Sequence, residues 1–426
     1  MIWAALASFV ILVFLRFQIA LAIGISSMIA IVFFSDLSLL VLAQRLVVGV
    51  DSYVFLAIPL FILAGNLMNA GGITDRIFAF ARALIGHFRG GLGHANVLAS
   101  MIFAGMSGSA VADAGGLGAI EMKAMDAQGY PREFSASITV ASSVIGPVIP
   151  PSIPMVIYGA MAEVSVGRLF LGGILPGVLV AVSLMGLVYI FSVRNNFPRD
   201  QKATFAVFRT RFLESFFPIL TPAVILGGIV LGIFTPTEAA SVAVVYALVL
   251  SLFVYRTVRL KDLPGILIDS MKTTAITTFV MATTSTFSYI LLLGQFSDWV
   301  VTFLTSVTMN KFAMLLILNL ILLFFGCIME AGVALILLVP ILVPVLNAVG
   351  IDLVHFGVVM VVNLMIGVAT PPVGMGLFVV SHVANIKLER LMKAILPFLM
   401  PPILVLLLIT YVPPLVTWLP NLVFGR

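Results

Sequence analysis

Long apolar runs follow one another through most of this sequence, and they limit its fold more than any other feature. Many windows of about 17–25 residues are apolar enough to cross about 30 Å of hydrocarbon. Hydrophobic residues make up 62% of the 426 positions and charged residues only 9%, with a mean hydropathy of +1.24. A water-soluble domain needs a mostly polar surface, and a β-barrel would show short alternating segments instead. The sequence therefore predicts an all-α polytopic membrane protein.

The boundaries of these runs predict where the chain crosses the membrane. Two apolar stretches, 95–124 and 312–346, have a break near the middle, and we expect each to enter and leave by the same face as a re-entrant hairpin. Two crossing segments, 134–162 and 357–385, are interrupted by Pro-Pro pairs. The other crossing segments are expected near 2–15, 17–34, 52–70, 169–193, 215–234, 238–256, 274–294 and 394–412.

The distribution of basic residues supports this threading. With the N-terminus outside, all but four of the 22 Lys and Arg residues fall in loops assigned to the cytoplasm, beginning with Arg16. This asymmetry follows the positive-inside rule, and making either hairpin a full crossing would remove it. The net charge of +5 therefore requires no nucleic-acid partner. The four exceptions on the outside are Arg45, Arg168, Lys311 and Arg426.

The longest polar interval, 195–214, divides the chain into two nearly equal parts. We interpret it as a cytoplasmic linker between a first repeat, 1–194, and a second repeat, 215–426. Within 71–91, apolar residues at helical spacing oppose arginines, which predicts a helix lying in the membrane interface. The stretch 259–272 is a weaker candidate for a second interfacial helix.

The two parts are related by a shift of 221 positions. Both run from a hairpin through a loop to a helix broken at Pro-Pro. An odd number of crossings separates the copies, so they are predicted to enter from opposite faces, as in the inverted-topology repeats of secondary transporters. The matching positions are Gly105 and Gly326, Ala110 and Ala331, Gly129 and Gly350, Gly146 and Gly367, and Pro150-Pro151 and Pro371-Pro372.

The Pro-Pro breaks indicate a ligand site at the middle of the membrane. Proline lacks an N–H, so each pair frees several backbone carbonyls, which hydrocarbon tolerates only where they line a cavity or meet a ligand. Freed carbonyls suit a cation, and the N-termini of half-helices suit a carboxylate. Two facing breaks therefore predict a site for an anion and its coupling cations. The alternative is a pair of ordinary proline kinks.

The hairpin tips add oxygen-bearing side chains to this prediction. In the first tip, "FAGMSGSAVADAGGLG", the hydroxyls of Ser107 and Ser109 suit a hard cation such as sodium. Asp113 is an acid in an apolar neighbourhood, which indicates either a functional group or a cap or internal partner of the hairpin's second helix. Glu330, in the second tip, is either a neighbour of a cation site or an N-terminal helix cap.

Two further polar features receive different interpretations. Asn363 overlays Ser142 under the repeat, and we expect its amide to face a cavity because an unpaired amide in hydrocarbon is costly. In "FTPTEAAS", Thr235, Pro236 and Glu238 have the spacing of a capping box. We interpret this second motif as structural.

Enzymes and channels are the rival functions. "GMSG" at 105–108 matches a pattern seen around intramembrane serine nucleophiles, which also need a histidine base. Three of the four histidines lie in predicted loops and the fourth, His382, lies near a segment end. The sequence contains neither H-E-x-x-H nor G-x-x-x-x-G-K-[ST], so we predict no enzymatic activity of those classes and no ATP-driven pump. Paired hairpins favour alternating access over a channel, and saturable uptake driven by an ion gradient would distinguish the two.

Several motifs, in order, resemble one transporter family. "GMSGSAVADAGGLG", "GPVIPPSIPMVIYG", "GIFTPTEAA", "PILVPV" and "NLMIGVATPPVGMGLFV" look like the large membrane subunit (DctM type) of tripartite ATP-independent periplasmic (TRAP) transporters. The resemblance covers nearly the whole chain. It implies a sodium-driven secondary importer of an organic acid, such as a dicarboxylate, keto acid or sialic acid. The protein would lie in the bacterial inner membrane with a periplasmic N-terminus and work by an elevator motion, as in the ion transporter superfamily.

The resemblance also implies partners and coupling ions. The expected partners are a small four-helix membrane subunit and a periplasmic substrate-binding protein, with membrane lipid around the chain. Sodium ions are the expected coupling ions, and no organic cofactor is expected. The alternative is a sodium- or proton-coupled carboxylate transporter that acts without a binding protein.

Carried over residue by residue, the resemblance implies two sodium sites and one substrate site. Each sodium site would combine one hairpin tip with one Pro-Pro break. Gly376 departs from the family, which often has an asparagine there, so any side-chain contact from this position is absent. The sodium-site residues are Ser107, Gly108, Ser109, Gly146 and Pro150 for the first site, and Glu330, Gly332, Gly367, Thr370 and Pro371 for the second. The substrate-site residues are Ser109, Asp113, Ser152, Asn363 and Gly374.

Overall fold

The computed structural model describes residues 1–15 and 17–425, and all secondary structure in this part of the chain is helical. Arg16 and Arg426, two of the basic residues used to orient the chain, lie outside the described residues. Within them, seven helices are long and apolar enough to cross a membrane, or eight if the pair Leu388–Ala394 and Leu396–Tyr411, bent by 49°, forms one span. The chain is therefore a multi-pass membrane protein, as its composition predicted.

The first half of the chain contains a helical hairpin followed by a broken helix. We call Gly91–Ser107 together with 110–127 the first hairpin, and Arg132–Ser143 together with Ile153–Met161 the first broken helix. The second helix of the hairpin includes a wide π-helical turn, Asp113–Leu117. The remaining helices of this half are Ile2–Phe14, Ile19–Phe34, Leu39–Val48, Ala57–Ala70 with the short 3-10 turn Tyr53–Leu56 before it, Ile73–Ile85 and Val166–Arg194.

The second half repeats this order. The second hairpin consists of Lys311–Ile328 and Ala331–Val349, and the second broken helix consists of Leu353–Val368 and Met375–Ala384. The other helices of this half are Phe205–Val230, Pro236–Val249 with the π-helical turn Leu250–Val254, the 3-10 turn Leu260–Asp262, Leu263–Leu293, Phe296–Val307, Leu388–Ala394, Leu396–Tyr411 and Pro414–Phe424.

The helix starts in the two halves agree with the 221-residue shift. Shifting the first hairpin and the first broken helix by this amount brings the start of each helix onto, or next to, the start of its counterpart. Both hairpins and both broken helices therefore recur as units. The division into two inverted repeats at 195–214 stays a prediction, because no membrane orientation is defined.

Side-chain caps fix several of these starts. Ser152 accepts a hydrogen bond from the Met155 N–H (3.2 Å), where the second part of the first broken helix begins. The predicted capping box is confirmed, because the Thr235 hydroxyl accepts from the Glu238 N–H (3.3 Å) and the Glu238 carboxylate accepts from the Thr235 N–H (2.8 Å). Such caps satisfy donors that a helix N-terminus leaves without partners.

A helix, Ile73–Ile85, is present within the stretch 71–91, and its place in the membrane interface stays a prediction. The weaker candidate for a second such helix, 259–272, is wrong as a separate helix. Residues 263–272 are the first third of the continuous helix Leu263–Leu293. The helix that matches Ile73–Ile85 under the repeat is Phe296–Val307, which the hydropathy pattern did not separate from its neighbours. A single polar face does not end a helix, and nothing between Leu263 and Leu293 breaks this one.

The predicted linker is shorter than 195–214. Phe205–Val230 begins inside it, with Thr204 as the N-cap. The rings of Phe208 and Phe212 lie 6.0 and 5.9 Å from the ring of Phe80 on Ile73–Ile85. This aromatic packing stabilises the first turns of Phe205–Val230, which the polar sequence of 195–214 predicted to be part of a loop.

The remaining linker forms a strap on the first hairpin's side of the molecule. Asp200 accepts hydrogen bonds from Arg82 (2.7 and 3.1 Å) and from Gln128 (2.7 Å), and its N–H donates to the Gly86 carbonyl (2.9 Å). Burial opposes ionisation of Asp200, but these hydrogen bonds and the charge of Arg82 outweigh it, so the pKa of Asp200 lies below its usual value. The strap therefore ties Ile73–Ile85 to the end of the first hairpin.

The core of the protein lies around the first parts of the broken helices. Arg132–Ser143 and Leu353–Val368 are buried on nearly every side, whereas the long helices Phe205–Val230 and Leu263–Leu293 expose large apolar side chains. Exposed Leu, Phe and Val side chains suit lipid rather than water. The hairpins and broken helices thus form the inner part of the structure.

Candidate functional site

The first hairpin tip lies against the first Pro-Pro break. Gly108 has a φ of +59°, and a Cβ on it would lie 2.7 Å from the Pro151 carbonyl oxygen. A Cβ on Gly146 would lie 3.5 Å from the Ser109 carbonyl oxygen. The two backbone segments therefore approach as closely as glycine allows at Gly108. The structure thus brings together the residues predicted for the first sodium site: Ser107, Gly108, Ser109, Gly146 and Pro150.

Both breaks leave backbone carbonyls free, as predicted. Within the described chain, no backbone N–H donates to the carbonyls of Pro150, Pro151, Pro371 or Pro372. The Pro150 oxygen would lie 3.5 Å from a Cβ on Gly105, so it faces the first hairpin. Free carbonyls at membrane depth are costly unless they meet a ligand or water. The breaks therefore provide oxygen donors of the kind that a cation requires.

The second tip and the second break are joined in a similar way. A Cβ on Gly326 would lie 3.2 Å from the Gly367 Cα, so the two helices cross at glycine contact distance. The Gly374 N–H donates to the Cys327 carbonyl (3.2 Å), which ties the break to the tip. The Thr370 hydroxyl donates to the Ile366 carbonyl (2.6 Å) and keeps oxygen lone pairs for another partner.

Glu330 occupies the N-cap position of Ala331–Val349, but its side chain makes no capping hydrogen bond. The interpretation of this carboxylate as a cap is therefore wrong. A Cβ on Gly332 would lie 3.4 Å from Glu330 Oε1, and the side chain is otherwise exposed beside the tip. Its role as a neighbour of a cation site stays a prediction.

The second part of each broken helix packs against the hairpin of the other half. Ile153–Met161 packs against Ala331–Val349, and Met375–Ala384 packs against the second helix of the first hairpin. A Cβ on Gly332 would lie 3.7 Å from Ile157 Cδ1, and a Cβ on Gly115 would lie 3.4 Å from Val379 Cγ1. The two breaks therefore belong to one interleaved body and not to two separate bundles.

Asp113 does not cap the second helix of the first hairpin. Ser109 holds that position, since its hydroxyl accepts from the Ala112 N–H (3.4 Å). Asp113 begins the π-helical turn and is 1% exposed, and neither of its carboxylate oxygens has a hydrogen-bond partner. π-Helical turns occur frequently at functional sites. The cap interpretation is therefore wrong, and the carboxylate is left without an internal partner.

Backbone atoms next to Ser152 and Gly376 limit what these two residues can contact. The Ser152 hydroxyl donates to the Pro147 carbonyl in addition to accepting from Met155, which uses most of its hydrogen-bonding capacity. A Cβ on Gly376 would lie 3.2 Å from the Val368 carbonyl oxygen, so a larger side chain there would require a shift. A substrate contact from Ser152 or Gly374 stays a prediction.

The prediction that Asn363 faces a cavity is corrected by the structure. Asn363 is fully buried, and its amide donates to the side chain (2.7 Å) and the carbonyl (2.9 Å) of Asn319. Asn319 in turn donates to the Thr410 hydroxyl (3.1 Å). The amide was expected to seek a cavity because hydrocarbon offers no partner, but a neighbouring helix supplies one. Asn363 therefore links helices through its amide donors, while its Oδ1 has no hydrogen-bond partner in the described chain, and its place in the substrate site stays untested.

A second buried polar cluster was missed by sequence reasoning. Asn96 donates to Glu121 (2.6 Å) and to Thr139 (2.8 Å), and Ser142 donates to Asn96 (2.8 Å). Ser100 donates to Ser142 (3.1 Å), which completes what we call the Glu121 cluster. The signal available in the sequence was the acidic Glu121 eight residues after Asp113, but no sequence pattern indicates which helix covers it. Only the packing of Arg132–Ser143 shows that Glu121 is buried.

Comparisons with known proteins agree with this architecture. Residues 6–415 match the model of the tripartite ATP-independent periplasmic transporter, DctM component. The chain is 44% identical over 383 residues to the sialic acid TRAP transporter large permease protein SiaM of Vibrio cholerae. This alignment covers 90% of this chain and 90% of SiaM. The chain is also 39% identical over 400 residues to the C4-dicarboxylate TRAP transporter large permease protein DctM of Pseudomonas aeruginosa. This alignment covers 94% of this chain and 94% of that protein.

A solved structure shares the fold at low sequence identity. MtrF of Neisseria gonorrhoeae, described as one of a class of antimetabolite efflux pumps, superposes with a TM-score of 0.62 at 13% identity. The superposition covers 99% of this chain and 95% of MtrF. At this identity the likeness concerns the fold alone.

Proposed function

The chain belongs to the DctM family of tripartite ATP-independent periplasmic transporters, and on this premise we propose that it is a sodium-coupled importer of an organic acid. As a large permease it is a membrane transport protein and not a member of an enzyme family. We propose three things beyond membership of this family: that transport is coupled to sodium, that the substrate is an organic acid, and that transport is inward. The inner membrane of a bacterium is the proposed location, with the N-terminus in the periplasm.

One observation carries the sodium coupling. Each hairpin tip meets a Pro-Pro break whose carbonyls have no backbone donor within the described chain, and this happens twice in the same molecule. Carbonyl and hydroxyl oxygens are ligands that a hard cation accepts. We assign one sodium ion to the backbone around Ser107, Gly108 and Ser109, and another to the backbone around Gly367 and Thr370, with Glu330 beside it. An ordinary proline kink needs no second segment against its carbonyls.

The substrate assignment rests on charge and on relatives. The half-helices Ile153–Met161 and Met375–Ala384 begin at the breaks, where their N-termini offer partial positive charge to an anion. The relatives named above are permeases for sialic acid and for C4-dicarboxylates, and both of these substrates carry carboxylates. Ser109, Asp113, Ser152 and Gly374 are the proposed substrate neighbours. Asn363, predicted from the sequence as a fifth substrate neighbour, is not proposed here, because its amide already donates to Asn319.

An elevator motion fits the division of the molecule. The hairpins and broken helices form an interleaved inner body, and the long lipid-facing helices surround it. In this proposal the hairpins are re-entrant, and the inner body carries sodium and substrate across the membrane against a fixed scaffold. A periplasmic binding protein delivers the substrate, and a small membrane subunit packs on the scaffold among the lipids.

The experiment is sodium-driven uptake in proteoliposomes that contain this chain, its small subunit and the binding protein. Ser109→Leu fills the first tip and should abolish uptake, whereas Ser306→Leu, an exposed serine on Phe296–Val307, should leave it intact. Full uptake by Ser109→Leu would remove Ser109 from the sodium site. Uptake with no sodium gradient would overturn the coupling itself.

The alternative function, carboxylate transport without a binding protein, is tested in the same assay. Omitting the binding protein should stop uptake, because this chain has no soluble domain among its described residues that captures dilute substrate. Sustained uptake under that condition would favour the alternative.

A further inference from the structure

A narrow groove lies between the helices Ile19–Phe34, Leu39–Val48 and Leu263–Leu293, and its volume is about 220 Å³. Leu21 on one wall and Phe279 on another are 41% and 47% exposed, so the groove is open along one side. Its walls are almost entirely apolar, and they include Leu21, Ile25, Leu42, Leu46, Phe279 and Thr286. We call it the Arg45 groove, after the arginine beside it.

The helix Leu39–Val48 is incompletely packed on the rest of the chain. None of its 10 residues is buried, although it contacts both Ile19–Phe34 and Leu263–Leu293. A helix of this length spans only about 15 Å, which is too short to cross the hydrocarbon of a bilayer. The space beside this helix is therefore open to another apolar molecule.

Arg45, on the same helix, is partly buried and lies over an aromatic ring. Its guanidinium carbon is 3.8 Å from the centroid of the Tyr289 ring. The ring face attracts the positive charge, but it offers no oxygen acceptor to the five N–H donors of a guanidinium. Asp36 and Asp51, the nearest acids along the sequence, do not pair with Arg45, and it forms no ion pair within residues 1–15 and 17–425. The guanidinium therefore still needs an anionic acceptor.

The other described basic residues that the sequence predicts on the outer side do have acceptors. Arg168 donates to the Gly425 carbonyl (3.0 Å), and Lys311 donates to the Gly350 carbonyl (2.8 Å). Both carbonyls lie at the C-terminal end of a helix, where a basic side chain commonly bonds. Arg45 differs from these two residues, because no oxygen of the described chain accepts a hydrogen bond from its side chain.

Both walls of the groove lead to the Arg45 guanidinium. Leu42 lines the groove and lies three residues before Arg45, and Thr286 lines it and lies three residues before Tyr289. Residues three apart are neighbours on the surface of a helix. Since Arg45 and Tyr289 contact each other, the positive charge lies beside one end of the apolar walls. The helix rises about 15 Å from Phe279 to Tyr289, which gives the length of the groove.

The size of the groove favours a hydrocarbon chain over a protein helix. A helix with its side chains is about 10–12 Å across, so a 15 Å length of it would occupy more than about 1,000 Å³. The groove holds about 220 Å³. A single acyl chain is narrow enough to enter it, and the bilayer supplies such chains at its open side. A phosphate beside the chain would meet the fork of N–H donors that a guanidinium presents to two oxygens.

A second polar group points to the same kind of ligand. Thr286 lines the groove, is 1% exposed, and has no hydrogen-bond partner for its hydroxyl in the part of the chain that the structure describes. A buried hydroxyl without a partner is costly, so it needs an acceptor from outside the chain. Phospholipids carry ester carbonyls between the phosphate and the acyl chains, in the same order as Arg45, Thr286 and the apolar wall.

We propose that the Arg45 groove binds one phospholipid of the surrounding bilayer, with its phosphate on Arg45 and one acyl chain between the three helices. The Thr286 hydroxyl donates to an ester carbonyl of this lipid. The lipid fills the space beside Leu39–Val48 and supplies the acceptor that the chain lacks. In the predicted orientation it belongs to the outer leaflet. This site requires neither sodium coupling nor a particular substrate.

The test is native mass spectrometry of the purified full chain, titrated with phosphatidylethanolamine, which gives the apparent affinity of the tightest bound lipid. Arg45→Gln should weaken this affinity about tenfold, because it removes charge-assisted hydrogen bonds to the phosphate. Arg45→Lys keeps the charge but not the paired donors, so its affinity should lie between the two. Ala20→Phe fills the groove from Ile19–Phe34 and should also weaken binding.

Two variants and two further lipids serve as controls. Arg259→Gln removes an exposed arginine elsewhere, and Val182→Phe enlarges an exposed apolar side chain outside the groove. Both should bind phosphatidylethanolamine as the unsubstituted protein does. Phosphatidylglycerol should show the same order of variants, because it carries the same phosphate. Diacylglycerol lacks the phosphate, so it should bind more weakly and should not respond to Arg45→Gln.

Three results would overturn the proposal. Unchanged affinity in Arg45→Gln would remove the phosphate from Arg45, and unchanged affinity in Ala20→Phe would remove the acyl chain from the groove. Release of the lipid when the small subunit is added would show that the subunit occupies the groove instead. If Arg45→Gln fails to elute as a monodisperse species, Arg45→Lys decides the question, since it keeps a cation on the Tyr289 ring. An affinity equal to that of the unsubstituted protein would then contradict the proposal.

Discussion

The two hairpins have nearly the same length and position in their halves, but their interiors differ in polarity. The first packs on the following broken helix through the Glu121 cluster, whereas the second packs through Leu342, Met360 and a single amide link at Asn363. The breaks beside them are alike, since both pair a glycine crossing with free carbonyls. The shared backbone geometry thus depends on glycine and proline, and side-chain polarity is free to differ between the copies.

The largest expected effect comes from making the second break helical. Changing Thr370, Pro371 and Pro372 to Ala should let the helix continue and tie up the carbonyls that the sodium site would use. Loss of one direct cation ligand could weaken affinity about tenfold or more, so sodium dependence of uptake should shift strongly or uptake should vanish. Changing Pro150 and Pro151 to Ala should shift the sodium dependence of uptake in the same direction if the two breaks are equivalent.

The control is Pro176→Ala, which removes a proline from inside Val166–Arg194 and should leave sodium dependence unchanged. Thr370→Val separates the hydroxyl from the break, and we expect weaker sodium binding with the fold retained. Unchanged sodium dependence in both Thr370→Val and the triple variant would reduce the second break to a kink.

Matched glycines in the two breaks provide the next comparison. A Cβ on Gly367 would lie 2.5 Å from the Gly326 Cα, whereas the nearest atom to a Cβ on Gly146 is the Ser143 carbonyl oxygen at 3.2 Å. Gly367→Ala should therefore cost up to about 3 kcal/mol through overpacking, and Gly146→Ala clearly less. Thermal unfolding in detergent measures both. Equal losses would show that the two tips are packed equally tightly.

Replacing Asn363 tests whether its hydrogen bonds to Asn319 serve only the fold. Asn363→Ala leaves Asn319 without one of its buried partners and should cost about 2 kcal/mol of stability. Because the Asn363 amide donates within the protein, the concentration of substrate that gives half-maximal uptake should stay the same in the folded variant. Ser142→Ala in the first half is the matched change. A selective loss of substrate affinity in Asn363→Ala would return this residue to the binding site.

The smallest expected effect concerns the strap, which is present in the first half only. Asp200→Asn removes the ion pair with the partly exposed Arg82 and should cost about 0.5–1 kcal/mol, since solvent screens such pairs. The pKa of Asp200 is lower in the folded protein, so its stabilising effect is full above its unfolded value of about 4 and is lost as the pH falls through the lowered value. Melting temperatures of the two proteins should therefore converge in acid. A constant difference from pH 7 to pH 3 would contradict this assignment.

The sequence predicted the hairpins and broken helices well because their signals are local. Pro-Pro pairs and glycines interrupt apolar runs at fixed positions. The resemblance to the TRAP family then predicted one sodium site at Gly108, Gly146 and Pro150, and the structure brings these residues together. The roles of Asp113 and Glu330 as caps were wrong, because the Ser109 hydroxyl caps the first helix and the Glu330 side chain, although it stands at the N-cap of the second, accepts no capping hydrogen bond. Short apolar helices such as Leu39–Val48 were missed, since hydropathy does not distinguish them from connecting segments.

Composition and the order of breaks alone determined that this is a helical membrane protein with two related halves, because lipid leaves helices as the main way to satisfy an apolar chain's backbone. Tertiary structure decided which polar groups meet. Asn363 finds Asn319 across helices, Glu121 is buried under Arg132–Ser143, and Asp200 reaches Arg82 over more than a hundred residues. Hydropathy measures how each residue interacts with solvent, whereas these contacts depend on which distant helix lies beside it.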